Sequence, residues 1–150
     1  VIGGDQAAAV YPTVFQSSQY YDDTNRLLQA FVGEIFFTYL LCATVIHTAT
    51  DKRQDGNQFY GLSIGLSLSL GIACIGPISG CCLNTAVWVG TVIPAVASEQ
   101  TGNGIGDAWV YWVGTFLGGI FAGMFFNLLN GRESLQKDSY KPVEDNIEME

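Results

Sequence analysis

The fold turns on residues 56–98, GNQFYGLSIGLSLSLGIACIGPISGCCLNTAVWVGTVIPAVAS, a run of 43 residues without one charge. A bilayer core is crossed by about 20 apolar residues in helical form. The stretch is therefore too long for one crossing and barely long enough for two with a turn. Its flanks resolve the choice. Leu27–Thr50 is 24 residues with one charge, Glu34, and Ala108–Gly131 is another 24 with none, so each reads as one span.

Basic residues orient these spans. Lys52 and Arg53 follow the first, and Arg132, Lys137 and Lys141 follow the last; the positive-inside rule puts both clusters in the cytoplasm. Between Arg53 and Arg132 the number of crossings is then even. Ala108–Gly131 is one, and residues 56–98 supply the other. About half of that stretch remains, and it must dip into the membrane and return on the same side. Irregular backbone survives at that depth only when buried in protein or lining a watery cavity, which points to transport.

The break itself can be read. A span from about Gln58 to Ile75 is expected to stop at Gly76-Pro77, because proline restricts its predecessor and cannot continue a helix. Ile78–Leu83 reads as an extended connector. Asn84 is a good N-cap, opening a short half-helix from Thr85 to Val92 that ends near Pro94. Its N-terminus carries about half a positive charge and, buried, repels cations while offering N–H donors to a passing dipole.

These residues resemble the aquaporins, the major intrinsic protein family. Ile-Ser-Gly-Cys-Cys-Leu-Asn84-Thr85-Ala86 is similar to the family's second Asn-Pro-Ala loop. Val32 to Thr38, with Glu34, resembles the fourth helix, and Asp51-Lys52-Arg53 the loop after it. Ile64-Gly65-Leu66 resembles the fifth helix and Trp109 to Gly114 the sixth. Val1 to Ala9 resembles the middle of the third, although Asp5 and Gln6 are unusual there. Five of these motifs stand in register, and with Val1 to Ala9 the match spans about Val1 to Asn130. The resemblance implies an all-α membrane protein, an aquaporin-like right-handed helical bundle. Only the second inverted repeat is expected: the end of helix three, helices four to six and one re-entrant half-helix. Residues 1–130 are thus the C-terminal half of a channel domain from a longer protein. Residues 131–150, with six acidic and three basic side chains, form a flexible acidic cytoplasmic tail.

Position by position, the resemblance also implies a site. Asn84, Thr85 and Ala86 form the pore motif, with Thr85 where the family has proline. Ile72, Cys81 and Val87 form the selectivity ring, Ile72 where water-selective members carry histidine and Val87 where the family carries arginine. The backbone carbonyls of Gly80, Cys81 and Cys82 line the pore, and Glu34 supports the loop by hydrogen-bonding its backbone. For Glu34 the competing reading is a position at the lipid interface. The ring is apolar and uncharged, and such rings gate by dewetting. Urea, glycerol and ammonia gain where water loses. Trp88 stands where the glycerol branch has aspartate, while Tyr111-Trp112 resembles the water branch, so the substrate stays open.

Other chemistry is poorly supplied. The net charge of −8 argues against nucleic acid. A single histidine, His47, reads as a snorkelling residue at a helix end rather than a pH gate, and no catalytic set can form around it. Cys42, Cys74, Cys81 and Cys82 all lie in apolar stretches without a C-x-x-C pair, so neither zinc nor disulfides are expected; Cys81 reads as a pore-mouth thiol. No cofactor or metal is called for, and no enzyme. Gly102 to Gly106 is a turn on the outer face rather than a nucleotide loop. The small-residue ridges Gly114/Gly118, Gly119/Gly123, Gly61/Gly65 and Ser63/Ser67 suit close helix packing. Two functions stay open: a passive homotetrameric channel for water or small neutral solutes, in a plasma or internal vacuolar membrane, or a non-conducting scaffold that kept the fold. A secondary transporter is disfavoured because Asp5 and Glu34 are the only intramembrane charges.

Overall fold

The computed structural model describes residues 23–97 and 106–130. Four α-helices carry them: α1 (Asp23–Val45), α2 (Tyr60–Ser79), α3 (Thr85–Ala97) and α4 (Ala108–Asn130), with no strand among the described residues. Three stretches are long and apolar enough to cross a membrane: Asn25–Thr50, Tyr60–Ser79 and Ala108–Asn130. The residues read as the end of a third helix, the outer turn from Gly102 to Ile105 and the acidic tail lie outside the described ones.

Helix α1 is the centre of the arrangement, packed along α4 on one side and α2 on the other, while α3 touches α4. Lipid is as apolar as leucine, so close backbone approach rather than water exclusion must hold such helices together. The glycines show where that approach occurs. A Cβ at Gly118 would stand 2.6 Å from the Ile35 carbonyl oxygen and 2.7 Å from Cβ of Thr38. One at Gly114 would stand 3.3 Å from Cβ of Glu34, and one at Gly33 only 2.9 Å from the Ile75 side chain. Thus the Gly114/Gly118 ridge is the α1–α4 seam. The other glycine ridges do not pack against the described residues: at Gly61, Gly65, Gly119 and Gly123 a Cβ would meet none of them within 4 Å.

Two prolines behave differently from the sequence reading. Helix α2 does not stop at Gly76-Pro77 but runs on to Ser79, and α3 does not stop near Pro94 but reaches Ala97. A proline removes one backbone donor and crowds one carbonyl a turn earlier, a local cost that both helices bear without ending. What ends α2 is Gly80, left-handed at φ 83°, whose N–H returns to the Gly76 carbonyl at 2.9 Å. The connector is therefore shorter than expected, residues 80–84, and not extended: Cys81 and Leu83 have φ of 53° and 50°.

At the other end α1 loosens into a π-turn, Ile46–Thr50, closed by the Asp51 N–H on the Ile46 carbonyl at 3.0 Å. The His47 ring stands edge-on to Phe126 of α4, centroids 5.0 Å apart. In the following turn, Asp51 accepts from the Arg53 backbone N–H at 2.9 Å and from its guanidinium. That guanidinium also donates to Asn130 Oδ1 at the last residue of α4. The pairing holds the Asp51 carboxyl at about 2, below the usual carboxylate range.

Candidate functional site

Only one acidic side chain of the spans is buried at the helix crossing, and it organises the break. Glu34 on α1 is fully buried, one turn before Thr38 on the face that meets α4. Its Oε1 accepts the Ser79 hydroxyl at 2.7 Å and the Cys82 N–H at 2.9 Å, and its Oε2 accepts the Leu83 N–H at 2.8 Å. Ser79 Oγ in turn accepts the Cys81 N–H at 3.1 Å. A connector with two left-handed residues cannot satisfy its own N–H groups, and an orphaned backbone donor at this depth is costly. One carboxylate and one hydroxyl meet three of them.

The carbonyls are the other half of that backbone. Among the described residues, no hydrogen bond ends on the carbonyl oxygens of Gly80, Cys81 or Cys82. All the donors of residues 81–83 are thus turned to Glu34 and Ser79 while three acceptors are left for something else. Asn84 follows as a true N-cap: its Oδ1 accepts the Ala86 N–H at 2.8 Å and its carbonyl accepts the Trp88 N–H at 3.1 Å. With Oδ1 committed, the Asn84 amide nitrogen points its two donors elsewhere, from an exposed residue. A short run therefore carries acceptors followed by donors, which is what a small dipolar molecule needs when it sheds water.

The three ring positions separate. Ile72 and Val87 are 52% and 48% exposed, both open to the surroundings of this chain. Cys81 is 7% exposed and clusters with Ile75 and Leu83 against Phe37 and Leu41. Its sulfur lies 3.1 Å from where a Gly71 Cβ would stand. The expectation of a pore-mouth thiol therefore meets a buried one: the left-handed φ of Cys81 turns the side chain towards α2. Cys74 is the exposed cysteine, and no cysteine among the described residues is disulfide-bonded. No cluster of three His, Cys, Asp or Glu able to hold a metal occurs among them.

Tyr111, Ser79 and Thr115, to which the sequence reading gave no role in the site, complete it. The Tyr111 phenol on α4 donates to the Ser79 carbonyl at 2.5 Å, and its ring stacks on Trp88 of α3 at 24° with centroids 6.1 Å apart. Ser79 itself bridges to Glu34. One turn along α4, the buried Thr115 hydroxyl meets that of Thr85 at 2.8 Å. The signal was present: Tyr111 and Thr115, four apart in an apolar span, share one helix face. Two buried polar atoms nearby, Trp88 Nε1 and Thr38 Oγ1, have no partner among the described residues.

Known proteins resemble the chain over most of its length. A family model described as major intrinsic protein matches residues 4–126. The chain is 40% identical over 102 residues to "Probable aquaporin NIP4-2" of Arabidopsis thaliana, covering 68% of this chain and 33% of that protein. It is 36% identical over 119 residues to "Probable aquaporin TIP2-1" of Oryza sativa subsp. japonica, covering 79% and 43%. With "Aquaporin NIP1-1" of Zea mays it shares 33% identity over 106 residues, covering 71% and 35%. The chain thus spans well under half the length of the curated relatives it matches.

Proposed function

The chain belongs to the major intrinsic protein family, with the all-α fold and membrane spans of an integral membrane protein, and from that premise we propose that it forms half of a passive channel for water or small neutral solutes. The observation that carries the reading is the divided connector. Its N–H groups are held by Glu34 and Ser79. Its carbonyls at Gly80, Cys81 and Cys82 accept nothing among the described residues, and the Asn84 amide follows directly. A permeating molecule would accept from Asn84 and donate to those carbonyls in turn, replacing bulk water without any step of chemistry.

Val87 and Ile72 give the constriction its character. Both are apolar and half exposed, and neither carries charge, so cation exclusion falls to the N-terminal end of α3 with about half a positive charge. An apolar ring penalises water by dewetting and penalises glycerol or urea less, since their carbon skeletons tolerate it. Cys81 would belong to this ring through its carbonyl, its thiol being turned away. Residues 1–130 form the channel half, and residues 131–150 a cytoplasmic tail. The protein assembles as a homotetramer of independent pores in a plasma or vacuolar membrane.

Osmotic shrinkage of vesicles carrying the full-length protein, followed by stopped-flow under water, urea and glycerol gradients, tests the reading. Relaxation faster than in empty vesicles is the expected result. Unchanged relaxation, with the protein folded and tetrameric, would reject the channel and leave a membrane scaffold.

A further inference from the structure

We propose that Thr85 is a positioning residue whose hydroxyl, donated to Thr115, aims Asn84 at the permeating molecule; this rests on the channel reading. The direction of the bond follows from counting protons. Thr115 Oγ1 donates to the Tyr111 carbonyl at 2.6 Å, which uses its one proton. The 2.8 Å contact between the two hydroxyls therefore has Thr85 as donor. A directed chain results, from Thr85 to Thr115 to the Tyr111 backbone.

Tyr111 and Thr115 together make α4 the reference for both ends of the connector. The Tyr111 phenol holds the residue before it, through the Ser79 carbonyl at 2.5 Å, and Thr115 holds the residue after it, Thr85. Between these two points lie residues 80–84. Asn84 is fixed relative to α3 by its cap bonds to Ala86 and Trp88. Its remaining freedom is that of the half-helix as a body against α4. Contact between α3 and α4 is sparse and otherwise apolar, Trp88 and Val92 lying against Val110 and Tyr111, so the hydroxyl tie at the first turn of α3 adds the directional restraint on that angle. Proline at this position would supply neither the hydroxyl nor an N–H. The threonine is thus not a neutral replacement in the motif but an added anchor.

The test uses the full-length protein in vesicles with Thr85→Val, Thr115→Val, the double variant and Thr85→Ser. Two quantities are read: the water-to-glycerol permeability ratio, and amide exchange over residues 84–92. Each valine variant is expected to shift the ratio and speed exchange in the first turn by a factor on the order of three to ten. The double variant should do no more than Thr115→Val alone, because both singles remove the bond between the two hydroxyls and Thr115→Val removes the one to Tyr111 besides. Thr85→Ser should behave as the parent. A conducting parent whose valine variants leave ratio and exchange unchanged, or whose single effects add, overturns the proposal while the channel reading stands. A folded parent that does not conduct overturns both. Should Thr115→Val fail to fold, the Thr85→Val and Thr85→Ser pair carries the comparison alone.

Discussion

The Glu34 carboxylate accepts the Leu83 N–H at 2.8 Å across 49 positions of chain. That single bond joins the middle of a membrane span to the middle of the break in the next hydrophobic stretch. Its partner bonds to Cys82 and Ser79 make Glu34 a triple acceptor.

Glu34→Gln should therefore be harmful although it is nearly isosteric. A glutamine retains one accepting oxygen and presents an NH2 group to a second donor, leaving a buried N–H unpaired. The expected cost is about 1–3 kcal/mol, read as a lowered unfolding midpoint in detergent, together with loss of flux. A variant with parental stability would mean that the connector does not depend on this carboxylate.

Two glycines five apart on α4 should respond in opposite ways. Gly118→Ala drives a Cβ to within 2.6 Å of the Ile35 carbonyl oxygen and 2.9 Å of the Tyr39 nitrogen, both backbone atoms that cannot swing aside. Overpacking of this kind costs about 1–3 kcal/mol. Gly123→Ala meets nothing within 4 Å and, by improving helix propensity, should be neutral or mildly stabilising. Equal stabilities for the two variants would contradict the α1–α4 seam.

Val87→Arg introduces a cation with five donors in the first turn of α3. The expected outcome in a conducting parent is a higher water-to-glycerol and water-to-urea ratio, by an order of magnitude or more, measured by stopped-flow. Unchanged solute flux would remove Val87 from the constriction.

The Asp51–Arg53 pair predicts a pH profile. Because the Asp51 carboxyl is depressed to about 2 from its ordinary 3.8, whatever it contributes is fully present above the ordinary value and is lost as pH falls through about 2. The tie from the α1–α2 turn to Asn130 should thus be indifferent to pH between 8 and 4. Carboxyl NMR of the labelled protein should place the Asp51 midpoint near 2, and Arg53→Ala should return it towards the ordinary range.

A thiol prediction separates α2 from the connector. Membrane-permeant maleimide should modify the exposed Cys74 well before the buried Cys81 and Cys82, as read by mass spectrometry of timed samples. Rapid modification of Cys81 would restore its thiol to the pore mouth.

Much of this was legible in the residues. The uncharged run from Gly56 to Ser98 forces a re-entrant segment, and Asn84 announces the start of the half-helix, because membrane length and helix capping are local rules. Proline misled the boundaries of α2 and α3, since a helix can bear its local cost and continue, and the end of α2 was set by Gly80 and not by Pro77. Contacts between distant residues were beyond local rules altogether. That the Cys81 thiol turns to Gly71, that Tyr111 holds Ser79, and that Thr115 takes the Thr85 proton are facts of how α4 and α2 lie against the connector. The sequence by itself determined the spans, the break and the family, because hydrophobic length and turn chemistry are carried by neighbours in the chain. The tertiary structure alone decided which polar groups meet, because a buried donor bonds to whichever acceptor the packed helices bring within about 3 Å.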